Sequence, residues 1–271
     1  MKLQITVFKI VALVGVVFLV QACSTVPITG RKQLSLVPES DLVAMGVSSY
    51  GEFLKEAKLS TNATQTALVK KVGKNISAAV DAFLRDNGMG DRVSNFQWEF
   101  NLVENAEMNA WCMPGGKVVF YTGIMPVCKD EAGIAVVMGH EVAHAVARHG
   151  AERMSQEMGI QLGGATLQAA LATKSQETQS IFMSAYGVST QLGVLLPYSR
   201  SHETEADKLG LVFLAMAGYD PSQAVEFWKR MSSMSSGQKP PQILSTHPAD
   251  ATRVADLQAF LPEAMKYYKK R

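Results

Sequence analysis

His140, Glu141 and His144 stand in an HExxH arrangement. Residues four apart share one face of a helix, so two imidazoles can reach one metal ion while Glu141 faces a water beside it. Five residues with three fixed positions also arise by chance, so their surroundings carry weight. Ile134, Val136, Val137, Val142, Ala143, Val146 and Ala147 make the segment from Ala132 to Ala147 almost continuously apolar. Three polar side chains in such a helix cost free energy to bury unless a metal accounts for them. One Zn²⁺ per chain is the expected cofactor, with Glu141 as the catalytic base.

The third ligand must come from farther along. His149 does not fit the metzincin pattern, which needs glycine three residues and histidine six residues after the second ligand, where this chain has Ala147 and Gly150. Arg148 and His149 are therefore expected to turn outward. Glu203 is the preferred ligand, because Ala206, Gly210, Phe213 and Ala217 recur on its helical face and turn it inward. Glu205 shares a face with Lys208 and reads as a solvated surface pair. Asp207, one turn after Glu203, is placed to accept a hydrogen bond from a ligand imidazole, though a plain surface acid fits the same position.

Several elements are needed to position this set. Asp41 to Lys58 and Thr64 to Asn87 have helical periodicity, the second ending at Gly88. Phe96, Trp98, Phe100 and Leu102 alternate with polar residues as a half-buried strand does. Asn109 to Met113 and Lys117 to Thr122 form a hairpin through Pro114, Gly115 and Gly116, with Asn109 and Ala110 as candidates for a sheet edge that holds an extended substrate. Asp130 is the expected N-cap of a metal helix running through His144 toward Met154. Ser155 to Leu196, rich in small residues and poor in charge, suits core packing more often than a lid.

Lys2 and Lys9 precede an apolar run from Ile10 to Val20, too short for a membrane span of ~20 residues and suited to a signal sequence. Val20, Gln21, Ala22 and Cys23 resemble a lipobox, in which Cys23 is acylated. An ordinary signal peptide cut after Ala22, or an uncleaved anchor, are the alternatives. The expected organisation is a lipoprotein signal peptide at 1–22, a lipidated segment at 23–40 and a single domain at 41–271. Ser24 resembles an outer-membrane sorting residue, so the expected location is the periplasmic face of the bacterial outer membrane, with attachment through lipid at Cys23. Without Lys2 and Lys9, 24 basic residues face 24 acidic ones. That balance argues against nucleic acid as a partner. Cys112 and Cys128 are expected to join as a disulfide, with two buried free thiols as the alternative and one thiolate occupying the zinc as an inhibitory ligand ranked last.

Taken together, Thr29, Gly30 and Arg31, the Asn109 to Gly116 stretch, the HExxH, Ser199 and Arg200 leading into Glu203xxxAsp207, and Thr246, His247 and Pro248 with Arg253 resemble the zinc metallopeptidases of family M48. Within it the chain is most similar to the LoiP-like bacterial lipoprotein proteases, alongside the HtpX and BepA types. The resemblance implies a predominantly helical α+β gluzincin fold, with a small sheet beside the HExxH helix and zinc held by two histidines and a glutamate. It also implies an endopeptidase that removes unfolded or misassembled envelope proteins, or a chaperone-like factor serving envelope assembly machinery. His247 can donate to the developing oxyanion, close on the zinc as a fourth ligand, or cap a turn. Arg200 and Arg253 can assist catalysis or brace Glu203 and Asp207.

Overall fold

The computed structural model describes residues 23–191, 196–234, 242–247 and 251–269, so the expected signal peptide and Pro248 lie outside the described residues. Contacts group the chain into two compact units, the described residues of Met1–Pro38 with Gly150–Leu196, and those of Glu39–His149 with Pro197–Arg271.

In the first unit, β1 (Cys23–Thr25) and β2 (Lys32–Leu34) pair antiparallel, Cys23 opposite Leu34. Arg31 makes a two-pronged ion pair with buried Glu152, both contacts at 2.7 Å, and the Leu36 amide donates to Ser155 Oγ at 2.9 Å. These contacts tie the ribbon to the start of α5 (His149–Leu171), which is followed by α6 (Gln176–Thr190). Tyr186 Oη donates to the Ile160 carbonyl at 2.8 Å, joining the two helices. Core packing was the expectation here, yet Met158, Leu162, Ile181 and Phe182 are exposed. Small residues let these helices meet closely without covering their outer faces.

The second unit holds the HExxH. Helix α1 (Glu39–Glu56) is followed by α2 (Ala63–Asp86), capped by Asn62, whose side chain accepts from the Gln65 amide at 3.0 Å. Val69, Val72, Ile76, Val80 and Phe83 form the buried stripe of α2 at helical spacing. The sheet is ordered β3 (Glu99–Val103), β5 (Lys117–Tyr121), β4 (Ala110–Met113), with β3 parallel and β4 antiparallel to β5. Val118, Val119 and Phe120 of the central strand are fully buried, as expected of a strand covered on both faces. Gly115 and Gly116 take φ of +86° and +77° and close the hairpin where a Cβ would be strained.

A short helix, α3 (Met125–Cys128), leads into α4 (Glu131–Val146), the HExxH helix. Asp130 caps α4, its carboxylate accepting from the Gly133 amide at 2.9 Å. The expected continuation toward Met154 does not occur: α4 ends at Val146, Arg148 takes φ of +60°, and α5 starts afresh at His149. Beyond lie α7 (Leu196–Met216), α8 (Ser222–Met234), α9 (Gln242–Thr246) and α10 (Ala251–Ala264). Helices α4 and α7 cross where Gly139 meets Gly210; a Cβ on Gly210 would stand 3.2 Å from Gly139 C and from His140 N. No described helix is long and apolar enough to cross a membrane.

Cys112 and Cys128 are free thiols, which corrects the expected disulfide. Burial raises both thiol pKa values, that of Cys128 to about 12, so neither carries the thiolate that exchange chemistry needs.

Candidate metal centre

Helix α4 delivers His140 and His144 to one point, with their Nε2 atoms 3.1 Å apart. Glu203, from α7, closes the group: Oε2 lies 3.3 Å from His140 Nε2 and Oε1 lies 3.3 Å from His144 Nε2. Ligands about 2.0–2.2 Å from a shared tetrahedral zinc stand about 3.4 Å from one another, so the spacing fits. His247 joins the same group, its Nδ1 3.2 Å from His140 Nε2 and 2.9 Å from Glu203 Oε1. All four offer ligand atoms within 4.8 Å of one another. Converging lone pairs of this kind are favourable only around a cation or a shared proton.

The electrostatics express the same demand. Burial and the Arg253 charge lower the pKa of His140, but Asp207 and Glu203 outweigh them and hold it raised, at about 9. Burial keeps His144 neutral, with its pKa well below the usual histidine range. Burial opposes ionisation of Glu203, yet hydrogen bonds from His140, His144 and His247 overcome it and hold the carboxylate ionised. Glu141 is buried, which raises its pKa, and its Oε1 has no hydrogen-bond partner. A carboxylate oxygen left open at a metal-binding cluster suits a base awaiting a water.

Asp207 Oδ1 lies 3.0 Å from His140 Nδ1, the ring nitrogen turned away from the cluster. Arg253 grips Asp207 with Nε and Nη2, both at 2.7 Å, and its Nη1 is 3.2 Å from Glu203 Oε2. The guanidinium carbon lies 3.3 Å from the centre of the Trp228 ring, on α8, which also stands edge-on to His140. Arg200, by contrast, is exposed on α7 and is not brought to the site. Asn109 and Ala110 do lie at a sheet edge, at the start of β4. The Ala110 amide is bonded to Asn109 Oδ1 at 2.9 Å, while the Asn109 carbonyl accepts from Tyr121 of the central strand at 3.1 Å.

Two residues read as surface groups are instead buried against the site. His149 is 2% exposed, with Nδ1 2.9 Å from His144 Nδ1 and Nε2 3.1 Å from Glu205 Oε2. Glu205 is 4% exposed and does not form the expected surface pair; Lys208 lies over the Phe260 ring, 5.7 Å from its centre. The break at Arg148 explains the first. On an unbroken helix, His149 would sit about 140° around the axis from His144; the left-handed turn swings it back. No sequence signal marks that turn, because Arg148 is not a glycine. Trp228 likewise carries no signal beyond an apolar helix position.

Residues 70–261 match the sequence model of Peptidase family M48. A Schizosaccharomyces pombe protein named mitochondrial metalloendopeptidase OMA1 is 34% identical over 244 residues, covering 88% of this chain and 66% of that protein. The Homo sapiens metalloendopeptidase OMA1, mitochondrial, is 29% identical over 261 residues, covering 94% of this chain and 49% of its own. The Escherichia coli beta-barrel assembly-enhancing protease is 29% identical over 163 residues, 59% of this chain and 33% of its own. The chain thus spans about two thirds of the fission yeast relative and about half of the human one. These comparisons correct the expected location: the relatives covering most of the chain are named as mitochondrial, not as proteins of a bacterial envelope.

Proposed function

The chain belongs to peptidase family M48, a family of zinc metallopeptidases, and from that membership we propose that it is an endopeptidase hydrolysing misfolded or incompletely assembled proteins. The observation that carries this reading is the convergence of His140, His144 and Glu203 beside a Glu141 oxygen that accepts no hydrogen bond, with His247 Nε2 3.6 Å away. In this reading the three are the metal ligands, and zinc, when bound, lowers the pKa of a water toward ~7 and polarises the scissile carbonyl. Glu141 takes the proton from that water and returns it to the leaving amine. Asp207, clamped by Arg253, holds the His140 ring with Nε2 toward the cluster. At the β4 edge the backbone of Asn109 is already bonded to Glu107 and Tyr121, so Ala110 is the residue that offers backbone groups to an extended substrate, once the Asn109 side chain releases its amide. Backbone pairing of this kind ignores side-chain identity and suits a protease acting on unfolded segments.

Cleavage of unfolded casein by the zinc-loaded full chain tests this. Glu141→Gln is expected to retain zinc and to lower cleavage by about 10²-fold or more. Equal cleavage by both proteins would remove Glu141 from the mechanism.

A second reading is favoured by one contact set. His247 sits where a fourth ligand would, against both His140 and Glu203, and four protein ligands describe a closed site rather than an open one. A latent protease, or a chaperone-like factor whose site is normally shut, has this arrangement. Under it, His247→Ala raises casein cleavage above the unmodified chain; unchanged or lower cleavage contradicts a His247 latch.

A further inference from the structure

His144 has two ring nitrogens, and only one can serve a metal. Its Nε2 faces His140 and Glu203, and its Nδ1 faces His149 Nδ1 at 2.9 Å. Two nitrogens that close need one proton between them. The far side of His149 decides which ring holds it. Glu205 Oε2 stands 3.1 Å from His149 Nε2, and a carboxylate only accepts, so a neutral His149 carries its single proton there and leaves Nδ1 bare. His144 then donates through Nδ1–H, which empties Nε2 on the side of the cluster.

We propose that His149 and Glu205 form a positioning relay that fixes the tautomer and ring orientation of His144 and thereby sets how tightly the site holds its metal. The relay rests on the reading of His140, His144 and Glu203 as the metal ligands. Three further features make it a built arrangement. The Arg148 turn is what brings His149 inward, at the cost of a left-handed conformation in a residue that does not favour it. The His202 ring stacks on His149, centres 4.2 Å apart and planes 12° apart, and holds its plane. Glu205 lies two residues beyond Glu203 on α7, so one helix supplies both a metal ligand and the carboxylate behind another ligand. His140 is braced in the same sense but by a shorter route, directly by Asp207. The two histidine ligands thus each end at a buried carboxylate, one through a second imidazole and one without.

The test is zinc affinity of the full chain by competition with a chromophoric chelator, with the visible spectrum of the cobalt(II)-loaded protein as a report of ligand geometry. His149→Phe and Glu205→Ala are expected to weaken zinc about 10- to 100-fold and to shift the cobalt bands. Glu205→Gln, whose amide oxygen still accepts from His149 Nε2, is expected to recover a large part of the loss. Should His149→Phe fail to fold, the contrast between Glu205→Ala and Glu205→Gln carries the same test. Folded variants that hold zinc as the unmodified chain does, with the same cobalt spectrum, would overturn the relay alone. An unmodified chain that holds no zinc would overturn the ligand assignment together with it.

Discussion

At the scale of single residues, the metal centre is organised by where protons can sit. His140 is raised to about 9 while His144 is kept neutral, so without metal a proton on His140 takes the place of the cation. Zinc must displace it. A proton favoured below about pH 9 opposes metal there, so zinc affinity is expected to rise about tenfold per pH unit through neutrality and to level off above about 9. Calorimetry in buffers of differing ionisation enthalpy checks this: one proton released per zinc at pH 7 is expected, and none contradicts it. Part of this centre was legible in the sequence. HExxH is a spacing rule, and Glu203 followed from the apolar face it shares with Ala206, Gly210 and Phe213. Glu205 was not, because a lysine three residues on looks like a surface pair until Lys208 is seen over Phe260. Arg253 stood among the expected braces, yet its grip on Asp207 depends on α10 folding back on the site, which no local pattern states.

At the scale of elements, the site depends on how closely α4 and α7 approach. Gly139 and Gly210 are the contact, and the backbone nitrogen of His140 lies within it. Gly210→Ala is expected to lower the unfolding free energy by about 1–3 kcal/mol, because the neighbouring backbone atoms cannot move aside as a side-chain tip can. Gly159→Ala, within α5 and with nothing near its added carbon, is expected to be neutral or to stabilise by up to about 1 kcal/mol. Urea unfolding of the zinc-free chains separates the two; equal effects would mean that the helix crossing is not tight. The helices of α1 and α2, the hairpin and the Asp130 cap follow from periodicity and turn chemistry. The break between α4 and α5 does not, because its left-handed residue is an arginine. That one turn decides whether His149 faces solvent or His144.

At the scale of the whole molecule, the described chain assembles a predominantly helical α+β fold in which a three-stranded sheet lies beside the HExxH helix. Few charged residues, 18%, and many hydrophobic ones, 47%, were sufficient to expect a packed chain rather than a disordered one. The compartment was not legible: the basic and apolar opening resembles a bacterial lipoprotein signal, and the mitochondrial names of the relatives overturn that reading. The central claim is that one zinc is held by residues from two helices distant in sequence. Anomalous diffraction at the zinc edge from crystals of the zinc-loaded full chain tests it most directly. A single peak about 2.0–2.2 Å from His140 Nε2, His144 Nε2 and a Glu203 oxygen is predicted. Zinc bound only elsewhere, or a cluster that stays metal-free in the loaded protein, would contradict the account.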